Sequence, residues 1–135
     1  MIAKDDGKEF YIFNLETLHT DEKSIKAGAD YGMLVLSMLL KRGSFPIYFG
    51  TYFNDVIGSY GSSSGISRVA VARYRSLRDL LDMNADPKMI VGAELKFEAL
   101  MHTEAFSTKP IFSATSIRIS VGLILIVFGL IVSRL

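Results

Sequence analysis

The sequence has no cysteine, no tryptophan and only three prolines. Without cysteine there can be no disulfides, thiolate nucleophiles or thiolate metal ligands. Histidine is nearly as scarce, with His19 and His102 alone. No HExxH pair, Gly-x-Ser-x-Gly elbow or dinucleotide-binding glycine fingerprint occurs, so the familiar short routes to hydrolytic or cofactor chemistry are missing. An excess of one charge is missing too. Net charge is +1, and with Arg118 and Arg134 set aside the 13 remaining basic residues face 14 acidic ones. A near-neutral chain without a basic block is poorly suited to nucleic acid, and none is expected as a partner. The opening MIAKDDGKEF has no apolar core of the kind a secretory signal needs.

Long apolar runs are absent but for one, from Ile119 to Val132 (ISVGLILIVFGLIV), with Arg118 before it and Arg134 after. Crossing a hydrocarbon core of about 30 Å takes roughly 20 helical residues, a length reached by counting back to Ser113. Arg118 then lies near one boundary, where its side chain can snorkel to the headgroups. The competing arrangement is a buried C-terminal helix, but a helix packed on a small domain carries a polar stripe, and this run has none. The expectation is a transmembrane anchor over 117–134, a tether over 109–116, and one domain over 1–108. Lys109 and Arg118 before the helix, against Arg134 after it, favour a cytoplasmic domain on a single-pass chain. Gly122 and Gly129, seven apart, and Ser133, four beyond Gly129, are small residues that would let a partner helix approach. The bilayer and an integral membrane protein are therefore the expected partners.

In chain order, Glu9 to Leu15 reads as a strand, with Tyr11, Phe13 and Leu15 on one face and Phe10, Ile12 and Asn14 on the other. A helix follows, capped by Thr20 or Asp21, with Ala27, Tyr31, Leu34, Val35, Met38 and Leu39 on one side and Gly43 as its stop signal. Phe45 to Phe53 is a second strand, with Pro46 confined to its start or to an edge. The glycine- and serine-rich stretch Asn54 to Gly65 lacks the GK[ST] ending of a phosphate loop and reads as a hairpin connection. Ile66 to Arg75 is the third strand. Ser76 with Asp79 forms a capping box for a short helix, and Asp86-Pro87 restarts helix. A fourth strand runs from about Leu100 to Phe106. The order β-α-β-β-α-β specifies an α+β, ferredoxin-like fold. Apolar residues on both sheet faces, among them Phe10, Ile12, Phe49, Phe53, Val69 and Val71, imply that the uncovered face pairs with a second copy.

Several short stretches carry a family likeness: Tyr31-Gly32, Lys41-Arg42-Gly43, Arg73-Tyr74-Arg75-Ser76-Leu77-Arg78-Asp79, Asp86-Pro87, Lys96 to Leu100, Thr103 to Phe106, and Pro110. In this order they resemble the DUF1330-like branch of the dimeric α/β-barrel superfamily, over about residues 9 to 110. The resemblance implies a ferredoxin-like subunit pairing sheet to sheet. It implies no single reaction, since that superfamily includes monooxygenases, haem enzymes and binding domains. The apolar C-terminal run lies outside it.

Alternation puts Arg73 and Arg75 on a face with Val69 and Val71, and His102 and Glu104 on a face with Leu100 and Phe106. With the first strand between them, Asn14 completes a candidate ligand set of Asn14, Arg73, Arg75, His102 and Glu104, suited to an anionic small molecule. The competing reading makes these strand-end residues and dimer salt bridges. His19 and His102 have no metal-ligand spacing, and no catalytic residue, metal or cofactor is expected. The functional expectation is a membrane-tethered, non-catalytic accessory subunit. The alternative is a membrane-attached small-molecule enzyme of the monooxygenase-like kind, using His102 with Arg73 or Arg75.

Overall fold

The computed structural model describes residues 6–51, 65–111 and 117–134. Strand β1 (Phe10–Leu18) leads into helix α1 (Glu22–Lys41), then β2 (Phe45–Thr51), β3 (Arg68–Tyr74), α2 (Leu77–Asn84), α3 (Lys88–Ala99), β4 (Leu100–Thr108) and α4 (Ile117–Val132). The four strands form one antiparallel sheet in the order β2-β3-β1-β4. The expected hairpin loop lies outside the described residues, apart from Gly65.

Local chemistry accounts for the element boundaries. The Asp21 side chain accepts the Ser24 N–H at 3.0 Å and starts α1. Gly43, at φ +65°, turns the chain out of that helix. The Asp79 N–H donates to Ser76 Oγ at 3.2 Å at the start of α2. Asp79 does not reach back to the Ser76 backbone, as a full capping box would; its carboxylate takes the Ser76 hydroxyl at 2.8 Å and the Arg75 guanidinium instead. Asp86 Oδ1 accepts the Lys88 N–H at 3.1 Å beside helical Pro87, so this Asp-Pro pair opens α3. Pro46 lies on edge strand β2, next to a register shift between Pro46 and Tyr48.

Only one sheet face is covered by helices. There, Phe10 of β1 and Tyr74 of β3 stack at 5.4 Å and pack with Met38, Leu39 and Met83. A second cluster joins Ala27 of α1 with Ala99 and Leu100. Gly28 and Gly92 bring α1 and α3 together: a β-carbon at Gly28 would meet Ala99 Cβ at 3.5 Å, and one at Gly92 would meet Leu34 Cδ2 at 3.2 Å. Among the described residues no helix lies against the opposite face, although Tyr11, Val71 and Arg73 on it are buried. Its rows join Tyr11 with Arg73 and Thr108, Phe13 with Val71 and Phe106, and Leu15 with Val69 and Glu104. Phe13 and Phe106 stack at 5.3 Å on it. Phe10, Ile12 and Phe49 share the helix-side rows and Val69 and Val71 the open rows, while Phe53 is outside the described residues.

The anchor expectation needs correcting. Helix α4 forms where the apolar run lies, but it has 16 residues rather than the 18 of 117–134. At 1.5 Å per residue it is about 24 Å long, short of a hydrocarbon core. Among the described residues no helix is long and apolar enough to cross a membrane. Nor is α4 a core helix. Ten large apolar side chains between Val121 and Val132 are 47–66 % exposed, which at 100° per residue covers every side of the helix.

Candidate functional site

The open face carries the residues that sequence alternation singled out, but it does not gather them. Arg73 stands at the end of the sheet where β1 begins, paired across with Tyr11. Its guanidinium is buried. It donates to Glu9 Oε2 from Nε at 2.8 Å, reaches the Gly43 carbonyl at 3.3 Å, and lies 5.1 Å above the Phe45 ring. Three of its five N–H groups are thus spent on structural bonds.

His102 and Glu104 occupy the other end. Their partners on β1 are Thr17 and Leu15, four to six residues from Tyr11, or about 13–20 Å along the strands. His102 Nε2 lies 3.2 Å from Glu104 Oε1, and both side chains are more than half exposed. Asn14 is on the wrong face. It pairs with Ala70 and Ala105, in rows that face the helices. Leu100 also turns to the helices, because the register shifts between Thr17 and Leu18. Arg75 falls one residue beyond β3 and clasps Asp79 with two bonds of 2.8 and 2.9 Å. The expected cluster of Asn14, Arg73, Arg75, His102 and Glu104 is thus divided among two faces and two ends of the sheet.

The most buried acids among the described residues are Glu16, which the sequence reading missed, and Asp79, which it placed in a capping box. Glu16, 5 % exposed, receives Arg68 Nε at 2.6 Å on the helix side of the sheet, with Arg68 4.9 Å from the Phe49 ring. Asp79 is equally buried, and the hydrogen bond from Arg75 holds its carboxyl below the usual 3.8. The signal for Glu16 is an acid within an alternating strand, but it becomes visible only once β1 is known to continue to Leu18. Tyr74 lies beneath the helices, where burial, and to a smaller extent the neighbouring Tyr31, push its phenol up to about 12.

Between α1 and α3 runs an open groove of about 310 Å³, floored by Ala27 and Leu95. Lys23 and Glu98 bridge across it at 2.7 Å, and Lys26 and Asp30 pair at 2.7 Å along one wall. Among the described residues, no group of three His, Cys, Asp or Glu side chains is arranged to hold a metal ion. Gly122 and Gly129 lie on α4 with nothing within 4 Å of an added β-carbon. The Ser133 hydroxyl donates back to the Leu130 carbonyl at 2.9 Å.

This architecture defines a ferredoxin-like α+β protein, with solved relatives of fold among dimeric proteins of the same kind. A protein of unknown function, RPA0582 from Rhodopseudomonas palustris, superposes with a TM-score of 0.68 at 19 % identity, over 82 % of this chain and 88 % of that one. SnoaB, a cofactor-independent oxygenase from Streptomyces nogalater, matches at 0.55 and 11 % identity, over 81 % of this chain and 99 % of that one. A hydroxynitrile lyase from Passiflora edulis matches at 0.58 and 16 %, over 79 % and 99 %. At these identities the likeness is one of fold. No family model matches the sequence, and no curated protein is significantly similar to it.

Proposed function

We propose that this chain is a membrane-attached, non-catalytic interaction subunit: a ferredoxin-like domain paired through its open sheet face and held at a bilayer by α4. The observation that carries this reading is the apolar sheath of α4, exposed on every side. Taking a large aliphatic side chain fully out of water is worth about 1.5–3 kcal/mol, so ten half-exposed ones make a strong drive toward an apolar medium. One protein neighbour would cover one side. A bilayer covers all of them. Attachment needs no full crossing, and a shortfall of about 6 Å is of the size that local thinning and a snorkelling Arg134 accommodate.

The domain sits on the cytoplasmic side in this reading, following Lys109 and Arg118, and Gly122, Gly129 and Ser133 mark the side of α4 nearest an integral membrane partner. The DUF1330-like affinity belongs to the same proposal and rests on the Arg73–Asp79 and Asp86-Pro87 stretches. Against a catalytic role stands the separation of Arg73 from His102. Full-length protein carrying Ile124→Lys and Phe128→Lys should lose co-flotation with phosphatidylcholine vesicles, whereas the unaltered chain floats. If both stay with the soluble fraction, the reading is wrong.

The exposed His102–Glu104 pair favours a second reading. It is a histidine–carboxylate pair on a face that a second copy would enclose, on a fold shared with an oxygenase and a lyase. Turnover of a small acidic carbon substrate that is lost in His102→Ala would support it.

A further inference from the structure

We propose that the end of the domain from which the chain runs toward α4 is a docking surface for anionic lipid headgroups. This inference rests on the membrane reading of α4. In the antiparallel sheet, the start of β1, the end of β3, the start of β2 and the end of β4 all lie together. That end therefore collects residues from five separate stretches of chain: Lys8 before β1, Lys41 closing α1, Arg75 after β3, Arg78 in α2, and Lys109 after β4. All five are exposed, with Arg75 and Lys109 side chains at 63 % and 71 %.

The acids at this end are mostly turned inward or engaged. Asp79 is held by Arg75, Glu9 by Arg73, and Asp86 by Arg42. Asp6 takes Lys109 at 2.8 Å, and Asp82 is exposed. The opposite end has the reverse balance: Asp21, Glu22, Glu98, Glu104 and the buried Glu16 there outnumber Lys23, Lys26 and Arg68. Charge is thus close to zero over the whole chain, at +1, but sorted between its two ends.

Chain length ties the basic end to the membrane. From Ile111 to Ile117 is six residue steps, which span at most about 20–22 Å. With α4 in a bilayer, the end carrying Lys109 cannot leave the headgroup region far behind. Opposite charge then favours its lying flat on an anionic surface, at about one fivefold factor in the docked-to-undocked ratio for each cation within a Debye length. Arginine and lysine paired with a carboxylate still contribute where the carboxylate is the more buried partner, as at Arg75 with Asp79.

The cysteine-free sequence makes the test direct. Full-length chains with one introduced cysteine, Asn84→Cys near the basic end or Thr20→Cys at the opposite end, carry a fluorophore. They are reconstituted in phosphatidylcholine vesicles, with or without phosphatidylserine, containing headgroup-quencher lipid. The expected result is stronger quenching at position 84 than at 20, deepened by phosphatidylserine. In high salt, or with Lys41→Glu and Arg78→Glu combined, the docked-to-undocked ratio should fall at least about fivefold. Chains that float with both vesicles but quench equally at the two positions, or without regard to phosphatidylserine or salt, would overturn the docking surface and leave the membrane reading standing. Chains that float with neither would overturn both.

Discussion

At the scale of single residues, the arginines divide into those spent on structure and those left at the surface. Arg73 is the clearest structural case: its guanidinium is about 5 % exposed, and its carboxylate partner Glu9 about one-fifth exposed. Removing one partner of a buried pair leaves the other desolvated and unpaired, a loss of about 3 kcal/mol. Arg73→Ala should therefore lower the unfolding free energy obtained from urea titration by that amount, while a concurrent Glu9→Gln recovers part of it. Two titrations follow, one set by burial and one by a hydrogen bond. Tyr74 has its phenol pushed up to about 12, above the usual 10, so the folded state keeps that proton longer than the unfolded chain does. Its contribution is complete below pH 10 and is lost as pH rises toward 12; phenolate absorbance should show a late-titrating component that shrinks in Tyr74→Phe, the remainder belonging to Tyr31, which burial also raises. Asp79 goes the other way. Arg75 lowers its carboxyl, so its contribution is present above about 3.8 and disappears as the pH falls through the lower folded value. Asp79→Asn should flatten the acid limb of the stability curve.

Elements were legible in the sequence where one strand or helix decides the matter by itself. The Asp21 cap, the Gly43 stop, the Ser76 and Asp86-Pro87 starts and the switch from helix to strand at Leu100 are all local signals, and the chain folds as they indicate. What could not be read was register. Alternation tells which residues of one strand share a face, but a bulge between Thr17 and Leu18 turns Leu100 inward, and pairing alone shows that Asn14 faces the helices. The candidate site was built across three strands, so it failed where register decides. Helix α4 was legible in composition and not in length. For the helix pair, Gly92 lies 3.2 Å from Leu34 by way of an added β-carbon, tighter than ordinary contact. Gly92→Val should wedge α1 from α3 and cost about 1–3 kcal/mol, seen as a lowered thermal midpoint.

At the scale of the whole molecule, two apolar surfaces have no helix packed against them among the described residues: the sheet face opposite α1 and α3, where Tyr11 and Val71 are nonetheless buried, and α4. The sheet face shows Tyr48 and Phe106 about half exposed beside half-buried Phe13 and Leu15. Light scattering of the full chain in detergent should give the mass of two protomers, and Phe106→Arg should halve it by placing a charge in the Phe13 stack. In the single chain α4 is exposed on every side, and this is why the proposal turns on the bilayer. The most direct measurement is accessibility along α4 in reconstituted protein, with a nitroxide at each position from 121 to 132. The account predicts contact with apolar oxygen and shielding from a water-soluble relaxation agent at every position. Water access along the helix, or protection from both agents on one face at a 3.6-residue period, would contradict it.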